Sequence, residues 1–151
     1  MILLALSLAA AAAPCKTLDT NLPRDLSGWT RAGHTLDTGH AVTLPDNNHV
    51  SETRITIRKE GIFGIAADQG AWIDVYPLGR GRAFDMASES KGPYCSTIEK
   101  IVRYRLKPGT YRVVVTRVKG PDVKLMLVHS GASNSRTGNH HEVLRRYRRH
   151  R

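Results

Sequence analysis

The chain has 151 residues, of which 40% are hydrophobic, and a formal net charge of +10 at pH 7. This length leaves room for one domain with an ordinary apolar core and not for a second domain of usual size. The positive charge favours an anionic partner such as a cell-envelope component or an acidic glycan. Much of this charge lies at the C-terminus. Nucleic acid is not the expected partner.

The N-terminus has the pattern of a secretory signal peptide. Residues 2–13 read ILLALSLAAAAA, a short apolar core followed by small residues, which predicts a leader over residues 1–12 with cleavage near Ala12. The run is shorter than the roughly 20 apolar residues that span a bilayer, and no second apolar run follows it. The mature protein is therefore predicted to be periplasmic or secreted, without a transmembrane span.

Two cysteines occur, Cys15 and Cys95. In an exported chain an even count indicates a disulfide, and this one would join the mature N-terminus to the body of the domain. Two free thiols are the alternative. A lipidated Cys15 is a further reading, but Pro14 stands where a lipoprotein signal has a small residue.

The mature chain begins with a loop-rich segment over residues 18–39, and short β-type runs follow at close spacing. In residues 52–59, for example, Ile55 and Ile57 alternate with polar side chains. Turn clusters rich in Gly, Pro, Asn and Asp separate the runs, and residues 79–93 read as a long loop. Such a pattern predicts an all-β domain over residues 13–129, a single antiparallel β-sandwich or jelly roll of about seven to nine strands. The runs cover residues 40–44, 52–59, 62–66, 72–76, 101–106, 111–118 and 123–129.

The C-terminal segment differs from the body. Residues 136–151 contain six arginines and a single acid, Glu142. We predict a flexible basic tail over residues 130–151, and its only helical candidate, 141–149, is too short to be stable alone. The tail is either a solvated end or an arm that binds an anionic surface.

Part of the body resembles a known type of secreted module. The segments GIFGIA from Gly61, WIDVY from Trp72 and YRLKPGTYRVVV from Tyr104 resemble the pre-peptidase C-terminal type of β-sandwich over about residues 61–128. That resemblance implies an appendage of secreted enzymes with no chemistry of its own.

Two longer segments carry a second resemblance. They are DQGAWIDV from Asp68 and CSTIEKIVRY from Cys95. Because of these segments, the whole body resembles the members of a family of short uncharacterised bacterial exported proteins. Some members of that family bear the label homogentisate 1,2-dioxygenase. That enzyme resembles a cupin several times longer, in which two histidines and a glutamate hold iron, and its motifs have no counterpart here.

Catalytic chemistry finds little support in the sequence. The body contains four histidines without a His-x-His pair, and His140-His141-Glu142 falls in the predicted tail. Cys95-Ser96-Thr97 lacks the glycines of a nucleophile elbow, and no paired carboxylates or phosphate-binding glycine loop occurs. No cofactor, metal or catalytic residue is predicted. The four histidines of the body are His34, His40, His49 and His129.

The strand from Trp72 to Tyr76 carries the most suggestive surface. Ile73 and Val75 share one face and suit a core, whereas the other face presents an aromatic, an acidic and an aromatic side chain. These could stack on a sugar ring and accept hydrogen bonds from its hydroxyls, or the two rings could be buried against a loop or the second sheet. The three residues are Trp72, Asp74 and Tyr76.

Arginines form a second candidate surface. Arg103, Arg105 and Arg112 would project together if residues 107–109 joined two neighbouring strands as a hairpin, giving a basic face for an anionic glycan. A solvated sheet face is the alternative. The sequence therefore predicts a non-enzymatic binding or accessory module with a glycan as its candidate ligand. A small metal-dependent enzyme and an anionic-surface binder acting through the tail remain the alternatives.

Overall fold

The computed structural model describes residues 13–130; the predicted leader and residues 131–151 of the predicted tail lie outside the described residues. Within the described part, one 3-10 helix precedes eight strands, and the prediction of an all-β sandwich with seven to nine strands is confirmed. No helix in this part is long and apolar enough for a membrane crossing. The elements are the 3-10 helix Arg24–Thr30, β1 Ala41–Pro45, β2 Val50–Ile57, β3 Gly61–Ala67, β4 Trp72–Pro77, β5 Ser88–Lys91, β6 Lys100–Leu106, β7 Gly109–Thr116 and β8 Asp122–Ser130.

The strands form two sheets. The five-stranded sheet has the order β1-β8-β3-β6-β5 and the three-stranded sheet the order β2-β7-β4, and all neighbours are antiparallel. Apart from β5 and β6, consecutive strands lie in different sheets. Because β8 separates β1 from β3 and β7 separates β2 from β4, the strands interleave as in a jelly roll.

The predicted hairpin across residues 107–109 is wrong. The chain leaves the five-stranded sheet at the end of β6 and enters the three-stranded sheet at β7. Leu106 and Tyr111 therefore face each other across the core instead of lying side by side, and both are buried. Alternation specifies which side chains point inward, but it does not specify which strand lies alongside which.

The main core lies between the two sheets, where inward-facing side chains of both meet. In β7, for example, Val113 and Val115 are fully buried, whereas Arg112, Val114 and Thr116 on the opposite face are partly exposed. This one-sided burial is the pattern of a sheet with one face on a core and the other on water. The outer face of the three-stranded sheet therefore has no covering layer of the described chain.

The outer face of the five-stranded sheet, by contrast, is partly covered. Leu26 and Trp29 of the 3-10 helix pack against Met126 and Val128 of β8, which explains why four consecutive residues of β8 are buried. The segment predicted as a loop-rich entry thus contains a helical turn with a structural function. The helical cover does not reach the whole face, because Arg105 on the outer side of β6 and the four residues of β5 remain exposed.

The predicted long loop over residues 79–93 also differs from the structure, because it contains β5. The four residues of β5 are all exposed and lack apolar alternation, so the sequence gives no strand signal. Pairing with β6 holds them, and Arg103 Nη1 donates a 2.7 Å hydrogen bond to Ser90 Oγ.

The predicted disulfide is confirmed. Cys15 is bonded to Cys95 across a sequence separation of 80 residues, and the part of the chain that the structure describes contains no free cysteine. Beside this bond, the backbone N–H of Asp19 donates to the Cys95 carbonyl at 2.9 Å. The N-terminal segment is thereby fixed beside the loop that follows β5.

Candidate ligand-binding site

The aromatic strip, which we define as Trp72, Asp74 and Tyr76, lies on the uncovered face of the three-stranded sheet. Its strand, β4, is an edge strand that pairs only with β7. Ile73 and Val75 point into the core, as the alternation predicts, and Trp72 remains 53% exposed. The alternative interpretation, in which both rings are buried, is therefore wrong for Trp72, whereas Tyr76 is half-buried.

Cationic side chains support both rings of the strip. The Arg112 guanidinium lies 4.7 Å from the centroid of the Tyr76 ring, and that of Arg117 lies 5.8 Å from the centroid of Trp72. Arg112 also forms an ion pair with Glu52, with 3.6 Å between Nη1 and Oε2. Cation–π contacts of this kind favour one orientation of each ring, so the strip is partly preorganised.

Two carbonyl groups on the free edge of β4 already have partners. The buried Tyr104 hydroxyl donates to the carbonyl of Ile73 at 2.7 Å, and the backbone N–H of Phe84 donates to the carbonyl of Val75 at 2.8 Å. An incoming peptide strand would have to displace both bonds. A ligand at this edge would therefore be bound by side chains and not by backbone hydrogen bonds.

A cleft opens along the same edge, between β4 and the segment that leads into β5. We call it the β4 cleft; its volume is about 240 Å³, somewhat smaller than the roughly 300–1,000 Å³ of typical small-ligand pockets. Trp72 and Asp74 belong both to the aromatic strip and to this cleft, because an edge strand presents its outer side chains to both. Its lining comprises Trp72, Ile73, Asp74, Ala83, Phe84, Asp85, Met86, Glu89, Lys100, Val102 and Tyr104.

The ionisable lining of the β4 cleft has an excess of carboxylates. Three acids line it, and its single cationic group, the Lys100 ammonium, lies 3.2 Å from Glu89 Oε1. At the bottom, burial raises the pKa of the Tyr104 phenol to about 12, and the negative charges of Asp74 and Glu89 add to the rise. The phenol therefore stays neutral at physiological pH, in a negative local field.

The arginines of the second candidate surface do not come together. Arg103 and Arg105 belong to β6 in the five-stranded sheet, and Arg112 belongs to β7 in the three-stranded sheet. Since all three side chains point away from the core, they lie on opposite outer faces of the sandwich. The hypothesis of one basic face shared by these three residues is wrong, because the two strands are not neighbours.

Three of the four histidines of the body each have a different neighbour. The ring of His40 lies 3.2 Å from Asp37, that of His49 lies 3.9 Å from Asp46, and His129 contacts Phe63. Within residues 13–130 no group of three or more His, Cys, Asp or Glu side chains is arranged to hold a metal ion. His140, His141 and Glu142 lie outside the described residues.

Sequence reasoning missed the second wall of the site. Phe84, Asp85 and Glu89 fall in the segment predicted as a long loop, and Arg117 stands alone beyond the end of β7. A weak signal was available, since exposed apolar residues such as Phe84 and Met86 are unusual in an otherwise polar loop.

Comparison with known proteins adds no family. No protein-family model matches this chain, and no curated protein matches it at a significant level. The two resemblances drawn from the sequence therefore remain predictions, and any function has to be argued from the site.

Proposed function

We propose that this protein is an exported, non-enzymatic module that binds a glycan at the aromatic strip. The observation that carries the proposal is the 53% exposure of Trp72 on a rigid strand, with the carboxylate of Asp74 two residues further along the same face. Trp72 lines the same cleft as the exposed side chains of Phe84 and Met86, and neighbouring exposed apolar side chains of this kind often mark a contact surface.

The geometry of the strip suits a chain of linked pyranose rings, because Trp72 and Tyr76 are about 13 Å apart along the strand. Side chains at alternate positions of a strand lie about 6.6–6.8 Å apart along its axis, so a carboxylate stands between two rings on a nearly flat surface. Sugar rings present an apolar C–H face that stacks on aromatic rings, and their hydroxyls donate to carboxylate oxygens. Trp72 and Tyr76 supply the stacking surfaces, and Asp74 supplies the acceptor.

The disulfide and the N-terminal pattern support an exported location. A bond between Cys15 and Cys95 is typical of chains that fold in an oxidising compartment. The apolar run before Pro14 is the expected leader, and a periplasmic or secreted position would bring the domain into contact with cell-envelope glycans.

Binding can be tested with hexasaccharides of glucose, xylose, mannose, glucosamine and N-acetylglucosamine, titrated against the full mature chain by isothermal calorimetry. At least one hexasaccharide should bind. Trp72→Ala should weaken it about tenfold, because a stacked aromatic ring contributes on the order of 1.4 kcal/mol. Trp72→Phe keeps a ring and should lose less.

Intrinsic fluorescence supplies an independent measurement, since the chain has only two tryptophans. Trp29 is fully buried and Trp72 is exposed, so a bound sugar should change the emission of Trp72 alone. Tyr94→Ala is the matched control, because Tyr94 is 69% exposed but lies near Cys95, away from the strip. The proposal fails if no hexasaccharide binds, or if Trp72→Ala and Tyr94→Ala have equal effects.

A further inference from the structure

We infer that the β4 cleft selects glycans that carry a protonated amine, such as glucosamine units without their acetyl groups. This inference rests on the proposed function and specifies its substrate class. It follows from three features that meet in one concave space: aromatic walls, an excess of carboxylates and a neutral phenol at the bottom.

The walls are formed by the rings of Trp72 and Phe84, which are 53% and 37% exposed. Phe84 is fixed in place by its backbone hydrogen bond to Val75 and by edge-to-face contact with Tyr111, with 5.5 Å between ring centroids. Aromatic faces attract cations through their quadrupole. The Arg117 guanidinium already lies 5.8 Å from the Trp72 centroid, so Phe84 is the aromatic wall without a cation–π partner among residues 13–130 and is the one that favours an added positive group.

The charge balance in the cleft also favours a positively charged group. Lys100 is engaged by Glu89, and neither Asp74 nor Asp85 has an ion-pair partner within residues 13–130. Formally the lining carries three negative charges and one positive charge. A neutral sugar would leave this excess without a counter-charge, whereas an ammonium group would meet carboxylates and rings together.

The charge of the whole chain acts against binding of an amine. A protein with a formal charge of +10 should repel a cationic glycan at long range. Any preference for the amine must therefore come from the local field of the cleft, within about one Debye length of the carboxylates.

The test compares two hexamers that differ in charge, glucosamine hexamer and N-acetylglucosamine hexamer, at about pH 6, where amines are protonated. The full mature chain should bind the glucosamine hexamer about three- to tenfold more tightly. Raising NaCl from about 50 mM to about 500 mM should reduce that advantage, because salt screens the interaction.

Variants locate the effect. Asp85→Asn keeps shape and removes charge, so it should reduce the affinity for the glucosamine hexamer about threefold or more and leave that for the N-acetylated hexamer nearly unchanged. Asp74→Asn also removes the acceptor for sugar hydroxyls, so it should weaken both hexamers and the glucosamine hexamer more strongly. Glu60→Gln is the control, because it makes the same change of net charge at an exposed position between β2 and β3, outside the cleft.

The outcomes separate this inference from the proposed function. Equal or tighter binding of the N-acetylated hexamer, or no effect of either Asn variant, overturns the amine preference and leaves glycan binding intact. The amine preference is likewise overturned if only neutral hexasaccharides bind. If no hexasaccharide binds at all, both proposals fall.

Discussion

The indole Nε1–H of Trp29 donates a 2.8 Å hydrogen bond to Oγ1 of Thr97, 68 residues further along the chain. The Thr97 hydroxyl in turn donates to Asp19 Oδ2, and its backbone N–H donates to Asp19 Oδ1 at 2.7 Å. One threonine thus joins the N-terminal segment, the 3-10 helix and the loop after β5. This network holds the layer that covers the five-stranded sheet.

We expect Thr97→Val to destabilise the fold by about 1–3 kcal/mol, because it leaves the donor of the fully buried Trp29 without a partner. Urea unfolding should show a lower midpoint with an unchanged m-value. Thr97→Ser keeps the hydroxyl and should stay close to wild type. Thr43→Val, at an exposed position of β1, is the control and should change stability by less than about 0.5 kcal/mol. Equal effects at Thr97 and Thr43 would show that the bond contributes nothing.

Replacing both Cys15 and Cys95 by serine should lower stability by up to about 4 kcal/mol. The bond closes a loop with a separation of 80 residues, and removing it restores the chain entropy of the unfolded state. Denaturant unfolding of the two proteins measures the difference. A thiol titration of the unfolded, unreduced wild type should find no free thiol. Two reactive thiols in the protein purified from the periplasm would contradict the prediction.

Gly92→Ala should destabilise the domain by about 1–3 kcal/mol through overpacking. A Cβ at Gly92 would lie 1.9 Å from the backbone carbonyl oxygen of Ile98, and backbone cannot move aside as a flexible side chain can. Because Gly92 follows β5, the change should also disturb Glu89 in the β4 cleft. Gly70→Ala is the control, since a Cβ there meets nothing within 4 Å. Thermal unfolding of both variants tests this prediction. A Gly92→Ala midpoint at or above that of Gly70→Ala would contradict the close contact between residue 92 and the Ile98 carbonyl.

The phenol of Tyr104 should make stability depend on pH in the alkaline range. Burial, with Asp74 and Glu89, raises its pKa from 10.0 to about 12 in the folded protein. Below about pH 10 the group is protonated in both states, and its contribution is fully present. Between about pH 10 and 12 only the unfolded chain loses the proton, so stability falls by at most about 2.7 kcal/mol.

Tyr104→Phe isolates this effect from the other tyrosines. The stability difference between wild type and the variant, measured by urea unfolding, should shrink as pH rises from about 9 to about 12. At lower pH the variant should be the less stable one, because it lacks the hydrogen bond to the carbonyl of Ile73. A difference that stays constant with pH would show that the pKa of Tyr104 is not raised.

Local pattern was sufficient for much of the fold. The alternation of Ile73 and Val75 with polar and aromatic neighbours predicted both the strand and the faces of its side chains, because successive residues of a strand point to opposite sides. In β6 the same alternation places Val102, Tyr104 and Leu106 on the buried face. The side-chain pattern of a strand is contained in a few consecutive residues, and turn residues mark where the strand ends.

Pattern was not sufficient where pairing decides the structure. The exposed residues of β5 form a strand only because β6 lies beside them. Trp29 holds the 3-10 helix against the apolar outer face of the five-stranded sheet, and the sequence of β8 alone does not show that this face is covered. The second wall of the β4 cleft has the same origin, since it is built from a segment that looks like a polar loop in isolation.

The sequence by itself therefore determined the all-β class and the inward and outward side chains of most strands, and it named Cys15, Cys95 and the three residues of the aromatic strip as candidates. Only the tertiary structure decided that β6 and β7 belong to different sheets, which separates Arg103 and Arg105 from Arg112 and brings Asp74, Asp85 and Glu89 to one cleft. The physical reason is the distance along the chain over which each interaction acts. Side-chain alternation depends on neighbouring residues, whereas strand pairing depends on burying apolar faces that are distant along the chain.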